Sequence, residues 1–377
     1  MKKTLVLVSI LLLLSSFLFA QSEESNIIIS PAVRLFGADI DLGYSGISFL
    51  EGVDTILWLE LGGGWEGKTY FRHPSPSTYT PGDPYIGTEE TFDSAAPPFQ
   101  HTRVNFDWAL GLAQGILWNE VTDSNLLEGF LYYRGRYDSY QNNPDVQQLI
   151  HNSNLPDADG IVQNSLYTGI TYDTVVENSD HKTKTGFEAE VTFEWGPSFL
   201  ANNIIGYANF SRFNLTTKGF FTVFDAAPEQ DNNLFSIYLA DFFSVDYAFG
   251  EYVPINVLQT FGGRYPRTGL GGAIRGVNDA AYDSPFKVVN NLEARFLLPA
   301  IYLQNIVPGF VTYFDASYYG PRTSNTEDGV LLSTGAGFFI NILDLAYLGV
   351  YSDYFINGVN AKGEHWTPIR ALFGLHF

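Results

Sequence analysis

The sequence predicts an all-β fold, a transmembrane antiparallel β-barrel of about sixteen strands with one loop folded inward. Segments in which apolar and polar residues alternate recur along the chain. Such alternation sends successive side chains to opposite faces of a strand. Aromatic residues make up 16% of the chain, with 23 Tyr and 31 Phe, as expected for the aromatic girdles of membrane barrels. Beyond residue 20 no apolar run approaches the roughly 20 residues of a spanning helix.

Two segments show the alternation most clearly. In the first segment, small or polar residues alternate with the apolar residues Val104, Phe106, Trp108, Leu110 and Leu112. In the second segment, one face carries Phe187, Val191, Phe193 and Trp195, and the opposite face carries Glu188, Glu190 and Glu194. In a soluble sandwich, the alternative, the apolar face would be core and the acidic face would meet water. In a barrel the apolar face meets lipid and the acidic face lines the lumen.

The alternating segments give sixteen predicted strands. They are 27–35, 39–49, 55–71, 102–115, 125–138, 166–176, 183–195, 202–213, 217–225, 234–248, 255–263, 287–298, 308–319, 330–341, 344–355 and 367–377. An even number places both chain ends on the periplasmic side. The long connections 72–101, 139–165 and 264–286 then share the external end, and the short ones 50–54, 177–182, 214–216 and 342–343 share the periplasmic end. This sorting favours a barrel over a secreted soluble β-protein.

Residues 1–20 are predicted to be a signal peptide, and residues 21–377 a single barrel domain. Lys2 and Lys3 precede an apolar stretch, and Ala20 ends a plausible cleavage site; an uncleaved anchor is the alternative. Without this segment 18 basic residues remain against 41 acidic ones. Such an excess of acids argues against nucleic-acid binding, which requires Lys and Arg to neutralise phosphates. The chain contains no cysteine, which excludes disulfides and thiolate metal sites.

The segment 261–287 contains six glycines, at positions 262, 263, 269, 271, 272 and 276. A dinucleotide-binding loop is excluded because the spacing is wrong and no helical pattern follows. Ile274-Arg275-Gly276 instead resembles the loop-tip motif of the bacterial surface-antigen barrel, although Val277 stands where that family has Tyr or Phe. The family belongs to the outer-membrane protein assembly superfamily, which includes BamA- and TamA-type insertases and two-partner secretion transporters. Asn291-Leu292-Glu293-Ala294-Arg295 and Tyr313-Phe314-Asp315 are similar to the family's next two strands.

The resemblance implies that the loop between strands 11 and 12 folds back into the lumen. Alternation already turns Glu293 and Asp315 toward the lumen, and a planar guanidinium can bind carboxylates through two hydrogen bonds. We therefore expect a structural lock formed by Arg275, Gly276, Glu293, Tyr313 and Asp315. The alternative is a solvated surface arginine and two unrelated lumen acids.

The terminal strands raise a second hypothesis. The sequence ends on an alternating strand that closes at Phe377, and closure of a barrel pairs the last strand with the first. Pro31 lies in the first predicted strand and Pro368 in the last. Because proline donates no backbone hydrogen bond, we hypothesise a weak seam that opens sideways, as the resemblance implies. Alternatively, each proline only marks the beginning of a strand.

The expected function is outer-membrane protein assembly and insertion, or protein translocation, in the bacterial outer membrane. Expected partners are outer-membrane lipids and unfolded outer-membrane or secreted polypeptides. Only about six residues separate Ala20 from the first predicted strand, so periplasmic repeat domains are expected to be absent and a separate periplasmic partner to supply them. The alternative is an outer-membrane channel or surface-exposed scaffold with an acidic lumen and loops. We expect no enzyme, cofactor or metal site, because the six histidines are scattered and no nucleophile motif occurs.

Overall fold

Antiparallel strands account for nearly all of the regular structure. The computed structural model describes residues 27–34, 37–47, 49–70, 100–141, 156, 160–178, 181–226, 234–264, 267–268, 273–277, 284–301, 306–321, 328–342, 346–357 and 365–375. The predicted signal peptide and Phe377 lie outside these ranges. Within them, no helix has the length and apolar character needed to cross a bilayer.

The strands follow one another along the chain. They are Ile27–Arg34 (β1), Gly37–Ile47 (β2), Thr55–Tyr70 (β3), Gln100–Asn119 (β4), Ser124–Gln141 (β5), Gly160–Asp173 (β6), Val176–Asn178 (β7), Thr183–Gly196 (β8), Asn209–Asp225 (β9), Ser236–Tyr252 (β10), Thr260–Phe261 (β11), Arg267–Thr268 (β12), Phe286–Leu297 (β13), Ile306–Tyr319 (β14), Gly329–Ile342 (β15), Ala346–Asn357 (β16) and Trp366–Leu375 (β17). One short helix, Ile255–Leu258 (α1), follows β10.

Fourteen of these strands, here called the wall strands, form one antiparallel sheet within the described residues. Each wall strand pairs with the next wall strand along the chain, from β1 to β17. The short strand β7 pairs only with β8, and β11 and β12 form a separate hairpin. Such a meander needs only short connections between neighbouring strands, and it is the topology of an up-and-down barrel. The predicted all-β antiparallel class is therefore confirmed.

In the ranges that the structure describes, the wall has fourteen strands where the sequence predicted about sixteen, and two predictions account for the difference. The predicted strand 202–213 begins only at Asn209, and it continues without a break through 217–225 as one strand, β9. Asn214 is not in a turn, since its side chain is buried inside and donates to Ser244 and Asp246. The expected turn at 214–216 was therefore wrong. The segment 255–263 was also wrongly assigned to a wall strand. It contains α1 and β11, so the inward loop lies between the ninth and tenth wall strands, β10 and β13.

The distribution of apolar and polar residues across the wall is the reverse of that in a soluble protein. In β4, Phe106 and Leu110 are 47% and 60% exposed, whereas Asn105 on the opposite face is 5% exposed. In β8, Phe193 is 41% exposed and Glu194 only 7%. Soluble proteins bury large apolar side chains and keep most carboxylates in water. The apolar face is thus the outside of the sheet, which contradicts the sandwich alternative.

Replacing an outward apolar residue by a charged one tests what the outside of the wall contacts. Leu110 lies near the middle of β4, so Leu110→Arg in lipid vesicles should destabilise the fold by roughly 2–4 kcal/mol. Val121, 76% exposed in the turn after β4, provides the control, because Val121→Arg should change stability by less than about 0.5 kcal/mol. Urea titration of vesicle-folded protein measures both. Equal, negligible effects would indicate that water, not lipid, covers the wall.

Candidate functional site: the inward segment and its anchors

The inward segment comprises residues 253–264, 267–268 and 273–277, between β10 and β13. It begins with α1, whose four residues are all buried. The hairpin of β11 and β12 follows, with Thr260 opposite Thr268 and Phe261 opposite Arg267. This segment pairs with no wall strand in the described residues. Its backbone and side-chain polar groups therefore form hydrogen bonds largely with side chains on the lumen face of the wall.

Arg275 contacts both carboxylates that the sequence assigned to it. Its Nε donates to Asp315 Oδ2 at 2.9 Å and its Nη2 to Oδ1 at 2.5 Å. The backbone N–H of Arg275 also donates to Asp315 Oδ2, at 3.0 Å. Its Nη1 donates to Glu293 Oε1 at 2.5 Å. Asp315 is fully buried on β14, so this fork provides the opposite charge that a buried carboxylate requires.

Tyr313 and Arg295 complete the surroundings of the guanidinium. The Arg275 guanidinium lies over the Tyr313 ring, 3.6 Å from its centroid, within range of a cation–π interaction. Arg295 Nε donates to the other oxygen of Glu293 at 2.5 Å, so two arginines share that carboxylate. Burial by itself would lower the pKa of Arg275, but the hydrogen bonds and charges of Asp315 and Glu293 raise this pKa above its ordinary value. Arg275 is therefore permanently charged.

Position 276 requires a glycine, both because of its backbone conformation and because of the side chains that surround it. Its φ of +87° lies in the region that side chains other than glycine rarely adopt. A Cβ at this position would lie 2.8 Å from Phe355 Cζ and 3.0 Å from Asp353 Cβ. Ile274, on the other side of Arg275, is fully buried against Phe261 and its neighbours. The tip of the inward segment is thus fitted against β16 as well as β14.

A hydrogen-bond network continues from the lock to the last strand. The Tyr313 hydroxyl donates to Asp353 Oδ1 on β16. Arg370 on β17 donates to the same carboxylate, from Nε to Oδ2 at 2.7 Å and from Nη2 to Oδ1 at 3.3 Å. Asp353 was not among the residues predicted from the sequence, although alternation in β16 places it on the face opposite Val350 and could have indicated it.

A second anchor, which was not predicted from the sequence, fixes the beginning of the inward segment. Asp246 on β10 binds Arg212 Nε at 2.9 Å and lies 3.2 Å from Lys287 Nζ. All three residues are buried. Asp246 also accepts the backbone N–H of Gly262 at 2.8 Å, Arg212 donates to the Thr260 carbonyl, and Lys287 donates to the Leu258 carbonyl at 3.0 Å. Charged side chains of the wall therefore form hydrogen bonds with backbone groups of α1, of β11 and of Gly262, which follows β11.

A third anchor joins the segment to the opposite part of the wall. Arg264 Nη1 donates to Glu128 Oε1 on β5 at 2.5 Å, and the Arg264 backbone N–H donates to Glu190 Oε1 on β8 at 2.7 Å. Arg134 on β5 donates to the Gly263 carbonyl at 3.2 Å. The same segment also contacts Asp315 on β14. A sheet whose fifth and eleventh wall strands, β5 and β14, contact one short segment must curl around it, so the inward segment crosses the concave, lumen-facing side of the sheet.

The two prolines of the predicted seam lie in the terminal strands. Pro31 lies opposite Ile40 in the middle of the β1–β2 ladder. Pro368 lies in a register shift of β17, between Thr367, opposite Asp353, and Arg370, opposite Tyr351. Bulges and strand beginnings are both positions where a strand tolerates proline, and Pro368 is the third residue of β17. No ladder joins β1 to β17 in the described residues.

The chemistry of the site is that of ion-pair anchors. Across the ranges that the structure covers, no group of three or more His, Asp and Glu residues could bind a metal ion. Each carboxylate described above has at least one cationic or backbone donor. This arrangement can fix a chain segment inside the wall and couple it to the last strand.

Comparison with solved structures identifies a similar fold. A crystal structure of BamA from Haemophilus ducreyi lacking POTRA domains 1–3 matches with a TM-score of 0.54 and 12% sequence identity. The match covers 93% of this chain and 64% of that one, so this chain spans less than two thirds of its length. No protein-family model matches the sequence, and no curated protein matches it. The likeness shows a BamA-like barrel fold.

Removal of the Arg275 side chain should destabilise the folded barrel. Arg275→Ala leaves the buried Asp315 without its guanidinium, at a cost of roughly 3–5 kcal/mol. Heat-modifiable gel mobility should show a lower melting temperature. The matched control is Lys184→Ala, because the Lys184–Glu177 pair is more exposed and such pairs contribute less than about 1 kcal/mol. An unchanged melting temperature for Arg275→Ala would refute an internal lock.

A single methyl group at position 276 should also displace the segment. Gly276→Ala meets Phe355 and Asp353 and adopts an unfavourable φ, which together should cost roughly 2 kcal/mol or more. Gly219→Ala is the control, because a Cβ there meets nothing within 4 Å. Limited proteolysis of detergent-folded protein should cut the Gly276→Ala variant faster within 264–286. Equal protection of both variants would show that Gly276 is not needed for docking.

Proposed function

We propose that this chain is a bacterial outer-membrane β-barrel that assists the assembly and insertion of outer-membrane proteins or the translocation of polypeptides. The BamA-like fold supports this proposal, and so does the wall whose apolar face points outward. The partners that this function requires are outer-membrane lipids, unfolded outer-membrane or secreted polypeptides, and a separate periplasmic partner that delivers them.

One observation carries the proposal: the inward segment crosses the lumen and is connected to the last strand by a cation–π contact followed by hydrogen bonds. Arg275 contacts Asp315 and the Tyr313 ring, Tyr313 donates to Asp353, and Asp353 accepts from Arg370 on β17. A segment used only to narrow a pore would need no such link. A link to the terminal strand suits a barrel that acts on polypeptides through its terminal strands.

The terminal edge is the part of the sheet that would accept a client strand. An unpaired strand edge presents a row of N–H and C=O groups, to which an extended polypeptide can add by β-augmentation. Pro31 removes one donor from β1, and Pro368 introduces a bulge into β17. In the proposed function, a weakly joined seam between these strands opens and pairs with the client.

The lumen offers little support for a wide cation channel. Of the three acids that favoured it, Glu188 pairs with Lys218 at 2.8 Å, Glu190 accepts from the inward segment and Glu194 accepts from Ser165 at 2.6 Å. Acids with partners attract free cations less than a ring of solvated carboxylates does. We therefore expect small, brief openings in bilayer recordings.

Depletion in the native host tests the proposal. Loss of the protein should lower the amounts of other outer-membrane barrels, measured by quantitative mass spectrometry of the outer membrane. Wild type and Lys184→Ala should restore them, whereas Arg275→Ala should not, because its lock is broken.

An unchanged inventory of outer-membrane proteins would contradict the assembly function. A steady, large conductance of the purified wild type in planar bilayers would favour the channel instead.

A further inference from the structure

The outer face of the wall contains a depression that none of the features above explains. It lies across β8, β9, β10 and β13, has a volume of about 500 Å³, and its lining includes Gly219, Phe221, Leu239, Asp241, Asn290 and Leu292. Most of this lining is apolar, but it includes a carboxylate and an amide.

Strand alternation places Asp241 on the outside. In β10, Ala240 and Ser244 are buried toward the lumen, whereas Leu239 and Tyr247 are exposed on the outer face. Asp241 shares the parity of Leu239 and Tyr247. Its cross-strand neighbours are Gly219 on β9 and Leu292 on β13, and Leu292 is itself 45% exposed.

This position is unusual for a charged residue. Along β10 its outward neighbours are Leu239 and Phe243, so it lies within the apolar band rather than at a rim. Among the described residues its one hydrogen bond is from Asn290 Nδ2 to Oδ1, at 2.7 Å. No Lys or Arg of the described chain forms an ion pair with it. A carboxylate in hydrocarbon is costly without a partner, so the site is suited to a ligand that brings one.

The shape of the depression limits which ligand can reach the carboxylate. Gly219 forms part of it, and a Cβ at this position would meet nothing within 4 Å. Phe221, 63% exposed, and Leu292 stand beside it. The convex wall of a second barrel would rest on these side chains, whereas a flexible amphiphile can extend between them.

We propose that this depression binds a phospholipid through a primary ammonium headgroup. The ammonium would donate hydrogen bonds to Asp241, and the acyl chain would lie along Phe221, Leu239 and Leu292. An ammonium carries three donors and a full positive charge, which complements an acceptor-only carboxylate. The proposal depends on the membrane placement given under Proposed function and not on the assembly activity.

The position of Asp241 along β10 indicates which leaflet of the bilayer supplies the lipid. It is five residues from Ser236, the first residue of β10, and eleven from Tyr252, the last. In a tilted strand this corresponds to roughly 13 Å from the Ser236 end. The lipid therefore comes from the leaflet at that end, and its headgroup descends into the wall. Local thinning of the bilayer accompanies such a polar contact.

Headgroup chemistry gives a sharp test. The folded full-length protein in mild detergent is incubated with equal amounts of phosphatidylethanolamine, phosphatidylcholine and phosphatidylglycerol that carry the same acyl chains, and bound lipid is counted by native mass spectrometry. Wild type should retain phosphatidylethanolamine preferentially. The choline headgroup has no N–H donor, and the glycerol lipid is repelled by the carboxylate.

Three variants separate charge, shape and folding. Asp241→Asn should reduce retained phosphatidylethanolamine roughly tenfold, as expected for loss of a charge-assisted hydrogen bond. Gly219→Leu should reduce it by filling the depression while leaving the carboxylate in place. Val245→Leu, on the same outer face of β10, should behave as wild type. Heat-modifiable mobility verifies that each variant is folded.

Several outcomes would overturn the proposal. They are equal retention of phosphatidylethanolamine by wild type and Asp241→Asn, equal retention of the ethanolamine and choline lipids by wild type, and a protein dimer that depends on Asp241. A protein that folds and remains monomeric without detergent would instead refute the membrane placement itself. A failed depletion experiment would leave the lipid site unaffected.

Discussion

Neutralisation of buried carboxylates is the constraint on which the rest of the structure depends. Asp246, Asp315 and Asp353 are fully buried in the lumen, each with at least one arginine within hydrogen-bonding distance. The wall does not supply all of these cations where they are needed: Asp315 is neutralised by Arg275 of the inward segment. Removal of one member of a buried pair costs several kcal/mol. The wall and the inward segment therefore stabilise each other.

The reversed placement of apolar and polar residues has two consequences. Inside, a polar lumen satisfies the backbone of a segment that has no strand neighbour in the described wall, as Lys287 does for the Leu258 carbonyl. Outside, the apolar band makes any charged residue conspicuous. Asp241 is such a residue. A carboxylate without a cationic partner is costly there, and the depression beside Gly219 gives a lipid headgroup access to it, so this position is a candidate lipid site.

The lock connects the inward segment in the lumen to the last strand of the sheet through a chain of side-chain contacts. From Arg275, which also binds Asp315, the contacts pass through the Tyr313 ring and Asp353 to Arg370 on β17. Displacement of the inward segment would remove support from the last strand, whose ladder with β16 is also interrupted by a register shift at Pro368. An anchored segment and an adjustable edge are the two parts that a barrel needs if it acts on polypeptides through its wall.

The sequence by itself determined which side chains share a face, because alternation is a local property of an extended chain. It therefore predicted the all-β class, the inward direction of Glu293 and Asp315 and, with the family resemblance, the location of Arg275. It did not determine which strands are neighbours or where the chain leaves the wall. Asn214 looked like a turn residue although it faces the lumen, and 255–263 looked like a strand although it folds inward. The cluster of Arg212, Asp246 and Lys287 joins three strands, so only their register brings it together. Cross-strand register depends on long-range pairing, and tertiary structure alone decides it.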